Sequence, residues 1–257
     1  MIEARLRRVP PVRTLVMAPT YQEAENVEDF IRQVRKALPD ADLLVIDDSS
    51  PDGTADMAEK LGQELGGVDV LRRPRKTGLG GAYRDGYAVA LERGYDRVVQ
   101  MDADLSHDPA VLGEMLGALD EGADLVVGSR YIPGGSIPNW PFHRRALSKW
   151  GNRYAGFVLG TEVADGTSGY RAFRGEALRA AVPATTRASG YGIQFELAYR
   201  VWKRGGRVVE IPISFTDRYR GTSKMTWTIA AEELVLVTWW GIRDRLLRPL
   251  TGRLRRS

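Results

Sequence analysis

The 257-residue sequence predicts an α/β domain built on a doubly wound, mostly parallel sheet with helices on both faces, and three observations carry that prediction. Apolar runs bounded by turn residues alternate with helical patterns four times through the first half of the chain. The composition is 43% hydrophobic and 27% charged, enough for a sizeable core, and no low-complexity tract or fixed-period repeat interrupts it. Polar side chains gather directly after the strand patterns, where open α/β sheets bind their ligands.

The elements follow in order. "TLVMAPT" reads as a buried strand and "EAENVEDFIRQVRKAL" as the helix after it. "ADLLVIDDSS" leads to "TADMAEKLGQEL", "VDVLRRP" to "GGAYRDGYAVALERG", and "DRVVQMDADLS" to "PAVLGEMLGALDEG". "ADLVVGSRY" supplies a fifth strand. The strand ends present Thr20, Tyr21 and Glu23, then Asp47 and Asp48, then Asp102 and Asp104, then Ser129 and Arg130. Acids and hydroxyls at four strand ends imply one site, although a single acid such as Asp52 or Asp108 also suits a helix cap.

Several function classes are excluded. The turn "APTYQEAEN" lacks the glycines of a dinucleotide fingerprint, and "KTGLGGAYRDG" lacks the Gly-Lys-Ser/Thr ending of a Walker loop. Gly78, Gly80 and Gly81 read instead as a close backbone approach at a helix N-terminus, useful beside a nucleotide or for packing. The chain contains no cysteine, so disulfides, thiolate metal sites and cysteine nucleophiles are ruled out and a cytoplasmic location is expected. The N-terminal stretch has no apolar run of signal-peptide length, so export is not expected, and residues 1–11 read as a flexible segment.

The net charge is +4, and "RLLRPLTGRLRRS" concentrates arginines at the C-terminus. Such a tail suits an anionic membrane; no nucleic-acid motif accompanies it, and no nucleic-acid partner is expected. "LVLVTWWGI", residues 234–242, falls short of the ~20 residues that a membrane span needs. The 228–257 segment therefore reads as an amphipathic helix and basic tail, with Trp239 and Trp240 at a membrane interface or packed on the core.

Asp102 and Asp104, at i and i+2 of an extended strand end, point to the same side. With Mg²⁺ or Mn²⁺ between them they can hold the phosphates of a nucleotide. His107 suits either a further ligand or a packing residue at a helix start. Arginines suit phosphates because their planar fork bonds two oxygens at once and keeps its charge, while Arg145 and Arg218 also suit a solvated surface.

"APTYQEAENV", "VIDDSSPDGT", "RKTGLGGAYRDGY", "MDADLSHDP", "VVGSRY", "TSGYRAF", "GYGIQFELAYR" and "RYRGTSKM" together resemble the family-2 glycosyltransferases, and within them the dolichol-phosphate and polyprenol-phosphate mannose synthases. The resemblance spans residues 12–227 and implies a GT-A fold, with a nucleotide-binding half at 12–105 and an acceptor half at 106–227. It implies inverting transfer of mannose from GDP-mannose to a polyprenyl monophosphate at the cytoplasmic face of a membrane, reached directly or through a separate membrane protein. It assigns the nucleotide sugar to Pro19, Tyr21, Glu23, Asp48, Lys76, Gly80, Asp102, Ala103, Asp104, Arg218 and Lys224. It assigns the metal to Asp102 and Asp104, the acceptor phosphate to Arg130, Arg144 and Ser168, and the chemistry to Asp104, Arg130 and Arg144. The family commonly carries glutamine where this sequence has Ser106, which leaves the third metal ligand open between Ser106 and water.

Further residues of this half, Asp165, Gly169, Arg171, Gln194 and Glu196, are expected near the sugar or acceptor. A hydroxyl acceptor would need a carboxylate base such as Asp165 or Glu196, whereas a phosphate acceptor would not. Two other readings remain at this point: a family-2 enzyme using UDP-glucose or another donor, and a silent nucleotide-binding scaffold at a membrane.

Overall fold

The computed structural model describes residues 11–182, 192–216 and 234–244. Arg218, Lys224, residues 1–10 and most of the 228–257 segment lie outside the described residues.

Seven strands form one mixed sheet in the order β3-β2-β1-β4-β6-β5-β7. They are β1 (Thr14–Thr20), β2 (Asp42–Asp47), β3 (Val68–Arg72), β4 (Arg97–Gln100), β5 (Leu125–Ser129), β6 (Arg171–Arg174) and β7 (Val208–Pro212). The helices are α1 (Val27–Ala37), α2 (Thr54–Leu65), α3 (Leu79–Glu92), α4 (Leu112–Asp120), α5 (Phe142–Leu159), α6 (Gly175–Ala181) and α7 (Gly192–Lys203). A short 3₁₀ turn, Pro109–Val111, leads into α4, and residues 234–244 form a last helical stretch, α8.

Strand alternation divides the core in two. Val16 and Ala18 of β1 join Phe30, Ile31 and Val34 of α1 and Met115 and Leu119 of α4 on one face. Leu15 and Met17 join Tyr83 and Tyr87 of α3 and Ile193 and Leu197 of α7 on the other, as a two-residue period requires. Helix α1 places Glu28 and Asp29 in its first turn and Arg35 and Lys36 in its last, matching the helix dipole. Both sheet faces are therefore covered, as expected for parallel strands.

Strand β6, which the alternation of apolar runs did not announce, decides the shape of the site. It runs antiparallel to both β4 and β5, with Arg171 opposite Gln100 and Val127. Its N-terminal end thus lies at the carboxyl ends of its neighbours, and the 165–170 turn comes to the same edge as the loops after β1, β2, β4 and β5. Arg171 is fully buried and donates to the carbonyls of Gly166, Ser168 and Gln194. Burial pulls its pKa down to about 10, which leaves it charged at neutral pH. Its place is thus inside the fold, holding the turn to α7.

Candidate active site

Three loops converge after β1, β2 and β3. Asp47 is buried and accepts from the Thr20 hydroxyl (3.1 Å), the Ser50 hydroxyl (2.6 Å) and the Ser50 N–H (2.8 Å), so it ties the loops together. Gln22 and Ser49 take left-handed backbone conformations with φ of 57°, unusual for residues with a Cβ. Asp52, one residue before the N-cap Gly53 of α2, accepts from the N–H groups of Thr54 and Ala24, and Asp108 caps the 3₁₀ turn. For Asp108 the capping role holds, while Asp52 ties the start of α2 to the loop after β1.

Asp48 is bonded to the Arg73 guanidinium, which also reaches Asp85 (2.7 Å) and the Thr77 hydroxyl (2.5 Å). Burial raises the Asp48 pKa, and Arg73 opposes it. Gly81 makes this cluster possible, because a Cβ there would lie 2.2 Å from Thr77 Oγ1 and 2.8 Å from Arg73 Nη2. Lys76 Nζ stands 3.6 Å above the Tyr21 ring, so two residues expected at the nucleotide meet across the loops. Pro19 lies in register with Ile46, Gly80 is buried in the first turn of α3, and the Glu23 carboxylate accepts from Asn26 Nδ2 (2.8 Å).

Beyond β4 the chain turns sharply at Leu105, whose φ is 63°. Asp104 is buried and accepts from the Ser106 N–H (3.1 Å), while Ala103 packs into the core. His107 accepts from the Asp102 N–H through Nδ1 (3.0 Å) and stacks on Tyr170 with centroids 4.9 Å apart. Burial pulls its pKa down to about 4, so at neutral pH it is an uncharged support for the loop. Its Nδ1 is occupied, which favours the packing role.

The residues fit a divalent cation. Asp102 and Asp104 offer hard oxygen donors, and the Ser106 hydroxyl is buried without a hydrogen-bond partner among the described residues. Among the described residues no third His, Cys, Asp or Glu joins them there. The remaining positions would fall to Ser106, water and the phosphates of a bound nucleotide.

Arg130, directly after β5, is held rigidly. Its Nε and Nη2 fork onto Asp165 at 2.7 Å each, its backbone N–H bonds the same carboxylate (2.9 Å), and Nη2 also reaches Thr167 (2.7 Å). Asn152 of α5 secures Thr167 through two hydrogen bonds, and Glu210 of β7 accepts the N–H groups of Ala164 and Asp165. Burial acts to lower the Arg130 pKa, but Asp165 outweighs it and the net shift is upward. For Asp165 burial acts to raise the pKa, and Arg130 outweighs it. The rings of Tyr131, Trp140 and Phe215 stand 5.4–5.6 Å from the Arg130 guanidinium.

Arg144 lies over Trp140 at 3.9 Å, and Phe215 touches both Trp140 and His107 edge-on, so aromatic rings connect the two arginines to the Asp102 loop. Arg130 also lines a cavity of about 690 Å³ between the 131–138 loop and α5, and Arg145, rather than Arg144, lines it too. Ser168 is 2% exposed, with its hydroxyl accepting from the Tyr170 N–H, so Thr167 is the hydroxyl of that turn in contact with Arg130.

On α7, Gln194 accepts from Gln100 Nε2 (2.8 Å) and Glu196 pairs with Arg200, both inside the protein. Arg73, Trp140 and Phe215 had no place in the sequence reading of the site. Arg73 was nevertheless accessible, since it follows the third strand pattern as the other polar residues follow theirs. Trp140 and Phe215 stand in loops, where periodicity gives no signal.

Residues 15–181 match the family "Glycosyl transferase family 2". The chain belongs to family 2 of the glycosyltransferases. The transferase is 46% identical to a polyprenol monophosphomannose synthase of Mycolicibacterium smegmatis, over 93% of this chain and 91% of the relative. It is 45% identical to an undecaprenyl-phosphate mannosyltransferase of Micrococcus luteus, over 91% of this chain and 96% of the relative. A glucosyl-3-phosphoglycerate synthase from Mycobacterium tuberculosis, solved with Mn²⁺, UDP-glucose and phosphoglyceric acid, shares its fold with a TM-score of 0.66. That likeness covers 89% of this chain and 79% of the other at 19% identity, and it supports the GT-A fold of the transferase.

Proposed function

We propose that this transferase moves mannose, with inversion, from GDP-mannose to a polyprenyl monophosphate at the cytoplasmic surface of a membrane. The observation that carries the choice of acceptor is the fork between Arg130 and Asp165. The Asp165 carboxylate is fully buried and committed to three hydrogen bonds from Arg130, which makes it a support and not a base. Glu196, the other carboxylate suited to activate a hydroxyl, is buried and paired with Arg200. A lipid phosphate needs neither: its second pKa is about 6, and near neutral pH its oxygen is already an anion. The two 45–46% identical relatives, named for polyprenol-phosphate mannosylation, support the same acceptor and sugar.

In this reading Pro19, Tyr21, Glu23, Asp48, Lys76 and Gly80 hold the nucleoside side of the donor, and Asp102, Ala103 and Asp104 face its diphosphate. Arg218 and Lys224 are proposed to bind that diphosphate. A divalent cation, Mg²⁺ or Mn²⁺, bound by Asp102 and Asp104 would offset the charge developing on the leaving diphosphate. Arg130 and Arg144 orient the acceptor phosphate, with Ser168 shaping the turn beneath it, so that one phosphate oxygen attacks the anomeric carbon as the bond to the diphosphate breaks. Catalysis then rests on alignment and charge complementarity.

The test is transfer of radiolabelled sugar from GDP-mannose, and separately from UDP-glucose, into organic-extractable lipid with polyprenyl phosphate, either metal, and EDTA as control. Metal-dependent label from GDP-mannose is expected, and Asp104→Ala should abolish it. Label from UDP-glucose alone would replace the donor, and no lipid label from either would remove the lipid-phosphate acceptor.

A further inference from the structure

Helix α5 carries five basic side chains, His143, Arg144, Arg145, Lys149 and Arg153, and no acid along its whole length. Three of them, Arg145, Lys149 and Arg153, follow one another at four-residue steps, about 6 Å of rise each, and all three line the cavity that begins at Arg130. All three are exposed, and among the described residues none has a carboxylate partner. Phe142, Ala146 and Trp150 line the same cavity one position along the helix surface, and Phe157 continues their row. Phe142 is 77% exposed, Trp150 55% and Phe157 75%, far from the usual burial of such rings. Asn152, Ala155 and Leu159 of the same helix are buried against the core. One outward face of α5 thus consists of a cationic row beside an aromatic row.

Helix α8 extends the apolar row. Its Val237 and Trp240 pack with Ala155 and Leu159, and Gly241 sits so close to Val158 that a Cβ would come within 2.8 Å of the Val158 carbonyl oxygen. Val235, Trp239 and Ile242 remain exposed.

We propose that this face is a docking site for anionic phospholipid headgroups of a bilayer, with Arg145, Lys149 and Arg153 on the phosphates and the exposed rings of Phe142, Trp150 and Phe157 among the upper acyl chains. Charge complementarity decides the occupant. A protein partner could cover the rings, but three unpaired cations at one-turn spacing on an acid-free helix match a surface that repeats its negative charge in two dimensions. The arrangement sets the mouth of the Arg130 cavity at headgroup depth, where the phosphate of a long-chain acceptor lies. It deepens the membrane placement proposed above and rests on it.

The experiment is co-sedimentation of the full chain with vesicles of phosphatidylcholine alone or with 30% phosphatidylglycerol (a composition of about one anionic lipid in three). The vesicles contain neither polyprenyl phosphate nor sugar nucleotide, so the result is independent of whether the chain transfers mannose. Binding to the anionic vesicles is expected to exceed binding to the neutral ones. It should fall steeply as salt rises from ~0.1 to ~0.5 M. The variant R145Q/K149Q/R153Q should bind the anionic vesicles on the order of a hundredfold more weakly, about fivefold for each charge removed. Equal binding to both vesicle types would overturn the proposal. So would unchanged binding by the variant with an unaltered melting temperature, a result that would move the anionic contact to the arginines of the C-terminal tail.

Discussion

Single residues at this site act mainly by holding other residues. Asp165 has the chemistry of a base, yet its position inside the fold, with both oxygens on Arg130, gives it the work of aiming a guanidinium. Asp165→Asn is therefore expected to leave a buried arginine without its counter-charge, at a stability cost of about 3–5 kcal/mol, and to lose transfer. The wild-type rate should fall only as the acceptor phosphate takes up its second proton, near pH 6. A pH–rate profile whose acid limb moves in Asp165→Glu, a variant that keeps the carboxylate, would contradict this and restore the base. Gly81 is a second supporting position. Gly81→Ala should push Arg73 away from Asp48 and weaken binding of GDP, the nucleotide of the proposed donor, about tenfold, with the fold retained. Calorimetric titration with an unchanged Kd would separate the Arg73–Asp48 pair from donor binding. Asp102, Asp104 and Arg130 stood out as candidate site residues from their place after strand patterns, but what Asp165 does depends on a contact 35 residues away in sequence.

At the level of elements, the two tryptophans of α8 divide between the readings open to them. Trp240 is buried in a cluster with Phe195 and Tyr199 of α7, while its neighbour Trp239 is 56% exposed. Asp244 clips this helix to α7 by accepting from Tyr199, Lys203 (2.5 Å) and the adjacent Arg243 (2.9 Å). Burial tends to raise its pKa, but these donors prevail and hold it at about 2, below the ordinary 3.8. A depressed carboxylate contributes its stability fully above the unfolded-state pKa and loses it as pH falls through the folded-state value. The contribution of about 2 kcal/mol should therefore be intact at pH 5 and vanish between about pH 4 and pH 2. Hydrogen exchange in residues 234–244 should be faster in Asp244→Asn than in wild type at pH 6. Equal protection would show that apolar packing alone holds the helix. The helical pattern of 234–242 was visible in sequence, but the face it buries depends on where α5 and α7 stand.

For the whole molecule, the reversed strand β6 is the feature on which the site depends. It brings the 165–170 turn, and with it the partner of Arg130, to the edge where the parallel strands end. Arg171→Met should leave the carbonyls of Gly166, Ser168 and Gln194 without their donor, costing several kcal/mol at about 1–3 for each unsatisfied group, and should lower the melting temperature by more than 10 °C. A melting curve matching wild type would reassign Arg171 from the fold to the site. The sequence by itself determined the α/β class, the first five strands, the paired aspartates after β4 and the family, because periodicity and strand-end polarity are local properties of the chain. Only the tertiary structure decided which carboxylates are spent on arginines inside the fold, which tryptophan is buried, and which face of α5 stays open. Those outcomes depend on contacts between segments far apart in sequence, above all across an antiparallel strand whose four residues carry no distinctive period.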